Sequence, residues 1–505
     1  MALRRRAFLS GGSIFAASVA FGAGRGRGEP PEVVDTVVVG AGYAGAVAAL
    51  RLAQAGLRCV VLERGRRWRI TDAADTFATP ERPDGRAFWV ADPGGGTVLS
   101  TGVLEAYPAR GIVGLLGAGV GGGSLVNNAV LIAPSARGFR RTFAGILDYA
   151  DMTDIWYPRA RRLLGVEPIP TDVLDSPAYS GAREFADLAA HSGFEPVRLD
   201  MGMDWSVVRR EIAGAAAPSA ISGHSMWGIN SGAKRSVDRT VLAAAEATGL
   251  TEVRAMSQVR AIGLENNGYR VEYTERALDG GIVAQRTMIA GRVVLAAGSI
   301  GTTGLLVRAR AEGRLPGVNG EIGRRWGTGG DHLVAIGGFP PPEAGQGGPA
   351  HIGVFDEDGD VPVSILSFPL GTTLGGGLAG GALAVSDPPA VGTVRYDAGV
   401  VVDWPASHPA VTRIAAAVQA TADRFARARA GTSVAVSGAP TTSHSLGGVV
   451  FGAATTDSGE VVGCPNLHVV DSALLPGSCG AAPPALTVTA LADRCITTLI
   501  DHLDH

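Results

Sequence analysis

The chain is poor in cysteine, and the little it has follows no pairing pattern. Cys59, Cys464, Cys479 and Cys495 are its four cysteines, none in a CxxC or metal-ligand spacing. That spacing argues against sulfur redox chemistry and against any metal site, leaving open a Cys464–Cys479 disulfide formed after export. Charge is sparse as well: 18% of residues are Asp, Glu, Lys or Arg, and the net charge is -3, with no basic stripe and no acidic tail. Nucleic acid is therefore not an expected partner, and small molecules are. Long apolar runs are missing too, since no stretch reaches the roughly 18 uninterrupted apolar residues of a membrane-spanning helix. With 505 residues and 46% hydrophobic content, the chain still has enough apolar side chains for large cores and a two-domain globular protein.

Glycine is what the chain has in excess. Its 73 glycines exceed the roughly 7% of average globular proteins. Many sit in GxG-type clusters, where backbone can approach a ligand closely. At the N-terminus, MALRRRAFLSGGSIFAASVAFGAG sets a basic cluster before a short, weakly apolar run. Arg5-Arg6-Ala7-Phe8-Leu9 resembles a twin-arginine export signal, so residues 1–28 are expected to direct the folded, cofactor-loaded protein out of the cytoplasm.

The mature chain opens with VDTVVVGAGYAGAVAALRLAQAGLRCVVLERG, an apolar β run, a glycine turn, an alanine-rich helix and a second β run. This reads as a βαβ dinucleotide-binding unit. Gly40 supplies the tight turn, Gly42 the backbone approach to a pyrophosphate and Gly45 the close packing of helix on strand. Glu63, at the end of the second β run, is placed to accept ribose hydroxyls. NAD and FAD both fit at this point. Later segments favour FAD. ARGIVGLLGAGVGGGSLVNNAVLI, residues 109–132, sets Gly119, Gly122 and Gly123 ahead of Ser124 and Asn127, a loop suited to lie against a large planar ligand and its phosphates. RVVLAAGSIGTTGLLVRAR, residues 292–310, reads as a strand, a small-residue turn and a helix returning to the cofactor domain. NLHVVDSALLPGSCGAAPPALTVTALADRC adds a strand, Asp471 and a last helix starting near Thr487, with Asp471 expected at the ribityl or pyrophosphate region.

Taken in order, VVVGAGYAGAVAALRLAQAG, GVGGGSLVN, GAKRSVDRTVLAAA, LLVRARAEGRLPGVNGEIGRRWG, HSLGG and VVDSALLPGS resemble the cholesterol oxidase branch of the glucose-methanol-choline (GMC) oxidoreductases. The resemblance implies an α/β fold, with a Rossmann-like FAD-binding domain assembled from separated segments and a substrate domain of β-sheet and helices. The expected segments are 34–66, 109–135, 235–332 and 441–505 for the first domain, and 67–108, 136–234 and 333–440 for the second. Within the latter, GTVRYDAGVVVDWP reads as two β runs around a turn, and PAVTRIAAAVQATADRFARARA as an amphipathic helix with a solvated arginine stripe. Residues 363–389 read as an apolar, glycine-rich wall. FAD is expected non-covalently bound, with Tyr43, Val259 and Pro484 completing the positions that touch it.

The resemblance also implies hydride transfer from a secondary hydroxyl of a bulky, sterol-like alcohol to flavin N5, with oxygen as acceptor. A membrane surface is a source from which such a substrate would be drawn. His444 in TTSHSLGG matches the histidine of the family's His-Pro-Leu-Gly-Gly motif and is the expected catalytic residue, with Ser445 in place of the proline. Two family residues are missing. The asparagine before the last proline falls near Ala482 or Pro483, and the glutamate that moves the steroid double bond falls near Leu366, where no carboxylate stands. Asp356, Glu357, Asp358 and Asp360 read as a solvated turn. An oxidase without the isomerase step is therefore expected. The alternatives are a tailoring flavoprotein running desaturation or cyclisation and a non-catalytic binder of a hydrophobic ligand.

Overall fold

A computed structural model describes residues 30–92, 96–266, 268–338, 347–348, 351–368, 380–386, 389–437 and 441–503. The expected export segment, including Arg5 and Arg6, lies outside them, as do residues 369–379 and 387–388 of the glycine-rich wall. Among the described residues no helix is long and apolar enough to cross a membrane.

Strand β1 (Glu32–Val39), helix α1 (Tyr43–Gln54) and strand β2 (Cys59–Leu62) form the βαβ unit. Val37, Val38 and Val61 are fully buried, as are Ala46, Val47, Ala48 and Ala49 of α1. Each fully buried valine is worth about 1.5–3 kcal/mol, and the small side chains of α1 let its backbone lie close on the sheet. A seven-stranded sheet grows outward from β1. The strand Ile282–Leu295 pairs parallel with β1 and Leu467–Val469 parallel with that strand. Thr251–Arg254 pairs parallel with β2, and Ser257–Glu265 and Gly268–Arg276 complete an antiparallel edge. Segments more than 400 residues apart thus close one sheet. The helix Ala485–Leu503 packs on α1, where Asp493, fully buried, holds Arg51 at 2.6 Å and Arg159 at 2.9 Å.

A second sheet of six strands runs antiparallel in the order Ser433–Val436, His332–Gly337, Gly380–Ser386, Val363–Phe368, Ile352–Asp356, Val197–Arg198. Helices Ser180–His191 and Pro409–Ala428 back it, and Phe185, Val334, Ile336, Ile365, Leu366, Val418 and Phe425 share its separate core. A five-stranded sheet ends on Thr441–Thr442, which pairs with Ile112–Gly117 and leads directly to His444.

Several local expectations need correction. Asp356 is no solvated turn residue: it ends a strand and accepts from Thr421 at 2.8 Å, with Arg424 at 3.5 Å. Arg424 itself leaves the solvated stripe and lies 3.7 Å from the ring centroid of Phe194, where its guanidinium gains a cation–π contact. The hairpin Thr393–Tyr396 and Val400–Asp403 forms as expected, but Val394, Val402 and Trp404 join the core of the dinucleotide-side sheet. The last helix starts at Ala485, before Thr487. All four cysteines are buried and free, so Cys464 and Cys479 form no disulfide.

Candidate active site

Three glycine-bearing segments converge at the end of β1. Gly40, at φ +102°, adopts a conformation that side chains disfavour, and a Cβ there would meet the Ala296 carbonyl oxygen at 2.4 Å. A Cβ on Gly45 would lie 2.0 Å from the Gly40 oxygen, so its hydrogen is what lets α1 seat on the strand. Gly42 differs. A Cβ there meets nothing nearer than Gly122 Cα at 3.8 Å, and as N-cap of α1 it offers no side-chain cap. The first amides of a twelve-residue helix are thus left for an outside acceptor, the arrangement that binds phosphate.

Glu63 ties these segments together. Its Oε2 accepts from the Ala41 amide at 3.1 Å and its Oε1 from Gly65 at 2.8 Å, and Gly119 also donates to it. Burial raises its pKa above the usual carboxylate range, although the amides pull the other way. Carboxylate oxygens keep further lone pairs, so ribose hydroxyls can still donate to them. Gly121 donates to the Ala41 carbonyl at 2.9 Å, and Gly122 sits against Gly42. Gly123 is the second residue of the short helical turn Gly122–Leu125. Asn127 Nδ2 donates to Tyr43 Oη at 2.8 Å, and burial pushes that phenol up to about 12.

Other expected cofactor residues are occupied by the protein itself. Ser124 Oγ donates to the Gly121 carbonyl and accepts from the Val237 amide, holding the loop from beneath. Asp471 accepts from the amides of Gly298 and Ala473 and from Thr302 Oγ1, capping the helix Gly298–Ala311; burial lifts it to about 6. Val259 is half-buried two residues past Ser257, whose amide donates to the Glu63 carbonyl. Pro484 gives its carbonyl to Val488 at the start of the last helix.

His444 stands with a partner that sequence reading missed. Its Nδ1 lies 2.6 Å from Asp331 Oδ1, and the Asp331 carboxylate is 4% exposed against 15% for the imidazole. Asp331 Oδ2 also accepts from the amides of Ser443 at 2.7 Å and His444 at 3.1 Å and from Thr442 Oγ1 at 3.0 Å. Burial alone would raise the Asp331 pKa, but the imidazole and these donors outweigh it and hold the carboxyl below its usual value. An ionised carboxylate only accepts, so Nδ1 carries a proton and Nε2 is the ring nitrogen left facing away from Asp331. The one available signal was GTGGDH, where glycines precede Asp331 as they surround His444. Ser445 Oγ, in place of the family's proline, is buried without a hydrogen-bond partner among the described residues. Near the missing asparagine, Ala481 and Ala482 border a cavity of about 200 Å³, with Pro134, Phe355, Glu357 and Ser364 among its other walls. Leu366 is 1% exposed in the second core.

Two family models match this chain, an FAD binding domain over residues 35–75 and GMC oxidoreductase over residues 388–492. The second covers His444 and the start of the last helix. A cholesterol oxidase of Mycobacterium tuberculosis is 30% identical over 306 residues, 57% of this chain and 50% of that protein. This chain is similar to the cholesterol oxidases of the GMC type. A cholesterol oxidase of Acinetobacter baumannii is 25% identical over 322 residues, 60% of this chain and 55% of that one. The matches thus span about half of these curated relatives. Among solved structures, a pyridoxine 4-oxidase superposes with TM-score 0.62 at 16% identity, covering 94% of this chain and all of that one. A fungal aryl-alcohol oxidase gives 0.60 at 14%, covering 94% and 99%. These likenesses establish the fold, a mixed α/β architecture of FAD-binding and substrate parts.

FAD is the cofactor, and the site fits it. Gly42 leaves room on the side where a Cβ would stand, α1 has an uncapped N-terminus, and Glu63 keeps lone pairs that could accept from ribose hydroxyls.

Proposed function

We propose that this protein oxidises a secondary hydroxyl of a bulky lipophilic alcohol, with FAD as hydride acceptor, oxygen as the final acceptor and no double-bond isomerisation. The His444–Asp331 pair carries this reading. Asp331 fixes the imidazole so that Nε2 takes the hydroxyl proton as hydride leaves the carbinol carbon; bound FAD supplies the site that receives the hydride. Leu366, buried where the family's isomerising glutamate falls, supports the absence of that step. The two separate cores support a division into an FAD-binding and a substrate domain, although Phe139, Phe143, Tyr157, Val394 and Trp404, from the expected substrate segments 136–234 and 333–440, pack in the first core. RRAFL supports export by the twin-arginine route, which would bring the enzyme to a membrane surface or other extracytoplasmic source of lipophilic substrate.

A tailoring flavoprotein with diverged chemistry is the second reading. Ala482, 2% exposed at the place of the family's polar partner, favours it. Anaerobic mixing of the purified yellow protein with sterols and other lipophilic alcohols separates the two. Flavin bleaching by an alcohol supports oxidation, and His444→Ala should then slow bleaching about 10³–10⁴-fold with FAD still bound. If no alcohol bleaches FAD-loaded protein, the second reading stands. Wild-type bleaching in His444→Ala overturns the histidine's role.

A further inference from the structure

We infer that Lys234 is a positioning residue for FAD, its buried ammonium pinning the glycine loop that lies over the dinucleotide turn. The inference rests on FAD as cofactor and not on the alcohol reading. Lys234 is 4% exposed. Its Nζ donates to the carbonyls of Leu125 at 2.9 Å, Asn127 at 2.6 Å and Ser225 at 2.9 Å. An ammonium has three N–H donors, and here each has one acceptor. Among the described residues Lys234 forms no ion pair, and burying an unpaired cation is costly unless its hydrogen bonds are all made. A methionine would fill the same space without that cost. The charge is therefore retained for what it holds. Burial pulls the lysine down to about 7, whereas three carbonyl acceptors call for its protonated form.

What it holds is the far end of the glycine loop. Asn127, gripped through its carbonyl by Lys234, donates through its side chain to Tyr43 on the first turn of α1. The same stretch of chain adds one more attachment, the Val237 amide donating to Ser124 Oγ at 3.0 Å, and Asp238 packs beside Gly121, where a Cβ would meet its Oδ1 at 3.1 Å. Residues 234–238 thus form a bracket, with Lys234 as its charged pin and Gly42, facing Gly122, as the spot the bracket serves. Without the ammonium, three carbonyls turn away from a buried site and the Asn127–Tyr43 contact loses its anchor.

The test is FAD affinity of reconstituted apoprotein, followed by flavin fluorescence. Lys234→Met, similar in length and without donors, should raise the dissociation constant about tenfold to a hundredfold, the effect of losing charge-assisted hydrogen bonds. Lys234→Gln, which keeps two donors, should fall between. Combined with Asn127→Ala, Lys234→Met should cost less than the sum of the two single changes, because both act through one contact. Wild-type affinity in Lys234→Met, or a strictly additive double mutant, overturns the inference. So does an apoprotein destabilised by Lys234→Met with FAD affinity unchanged, which marks a merely structural lysine. Should Lys234→Met fail to fold, Lys234→Gln decides alone, and wild-type affinity there overturns it. A chain that no alcohol bleaches leaves these outcomes untouched.

Discussion

At the scale of single residues, the site turns on which atoms have lone pairs to spare. Asp331 spends its oxygens on the imidazole, two amides and a threonine, so it orients His444 and has no free reach toward substrate. Asp331→Asn keeps the shape and removes the charge. It should slow flavin reduction by a responsive alcohol about 10–100-fold, the range for outer partners of a working histidine, and less than His444→Ala does. The pH dependence has a definite sign. The Asp331 carboxyl is held below its usual value, so its stabilisation is present above the ordinary carboxylate range and is lost as pH falls through the folded value. In Asp331→Asn that acid-side part of the unfolding profile should disappear; an unchanged acid limb and unchanged reduction rate would remove Asp331 from the mechanism. His444 was singled out in the sequence because TTSHSLGG matches the family's His-Pro-Leu-Gly-Gly motif. Asp331 was not, because 113 residues separate the pair and only the folded sheet brings them together. Lys234 was hidden for the same reason, its role being to grip carbonyls that sequence pattern does not display.

At the scale of elements, two helices begin after glycine-rich turns, and their first amides meet different fates. Helix α1 starts uncapped at Gly42, whereas the helix Gly298–Ala311 is closed by Asp471 through Gly298 and Thr302. Both turns look alike in sequence, as small residues between a strand and a helix, and Asp471 was expected at the cofactor from the separate segment NLHVVDS. Side-chain partners separate them, and those are set by tertiary contact. Burial raises Asp471 to about 6, so the folded chain binds that proton more tightly than the unfolded chain does. For this group stability falls as pH rises from 3.8 to about 6, the reverse of Asp331. Asp471→Asn should remove that slope. It should also cost about 1–3 kcal/mol, because an amide NH₂ then faces a buried N–H that had an acceptor. Urea unfolding across this pH range checks both, and a slope that survives the substitution assigns it to other groups.

At the scale of the whole molecule, the βαβ unit, the glycine loop and the two-strand hairpin were legible because local spacing alone sets them. The assembly from separated segments was implied by the family resemblance and not by local spacing. The dinucleotide-side sheet takes its strands from both ends of the chain, and the hairpin Thr393–Asp403 crosses to the core of that sheet, since buried valines pack wherever a complementary face exists. Such a sheet converges on the proposed FAD site at the end of β1, so ligand and fold should be linked. At a hundredfold excess over its Kd, FAD should add about 2.7 kcal/mol to unfolding of the apoprotein. Gly42→Ala isolates that term. Gly42 has φ -81°, and its nearest neighbour to an added Cβ is 3.8 Å away, so the apoprotein should accept alanine without strain. The methyl group instead enters the open side of the turn, where the proposed pyrophosphate site lies. The variant should therefore unfold like wild-type apoprotein and gain little from FAD, as read by thermal melts with and without the cofactor. A full FAD-dependent rise in Tm for Gly42→Ala would place the pyrophosphate elsewhere than the N-terminus of α1.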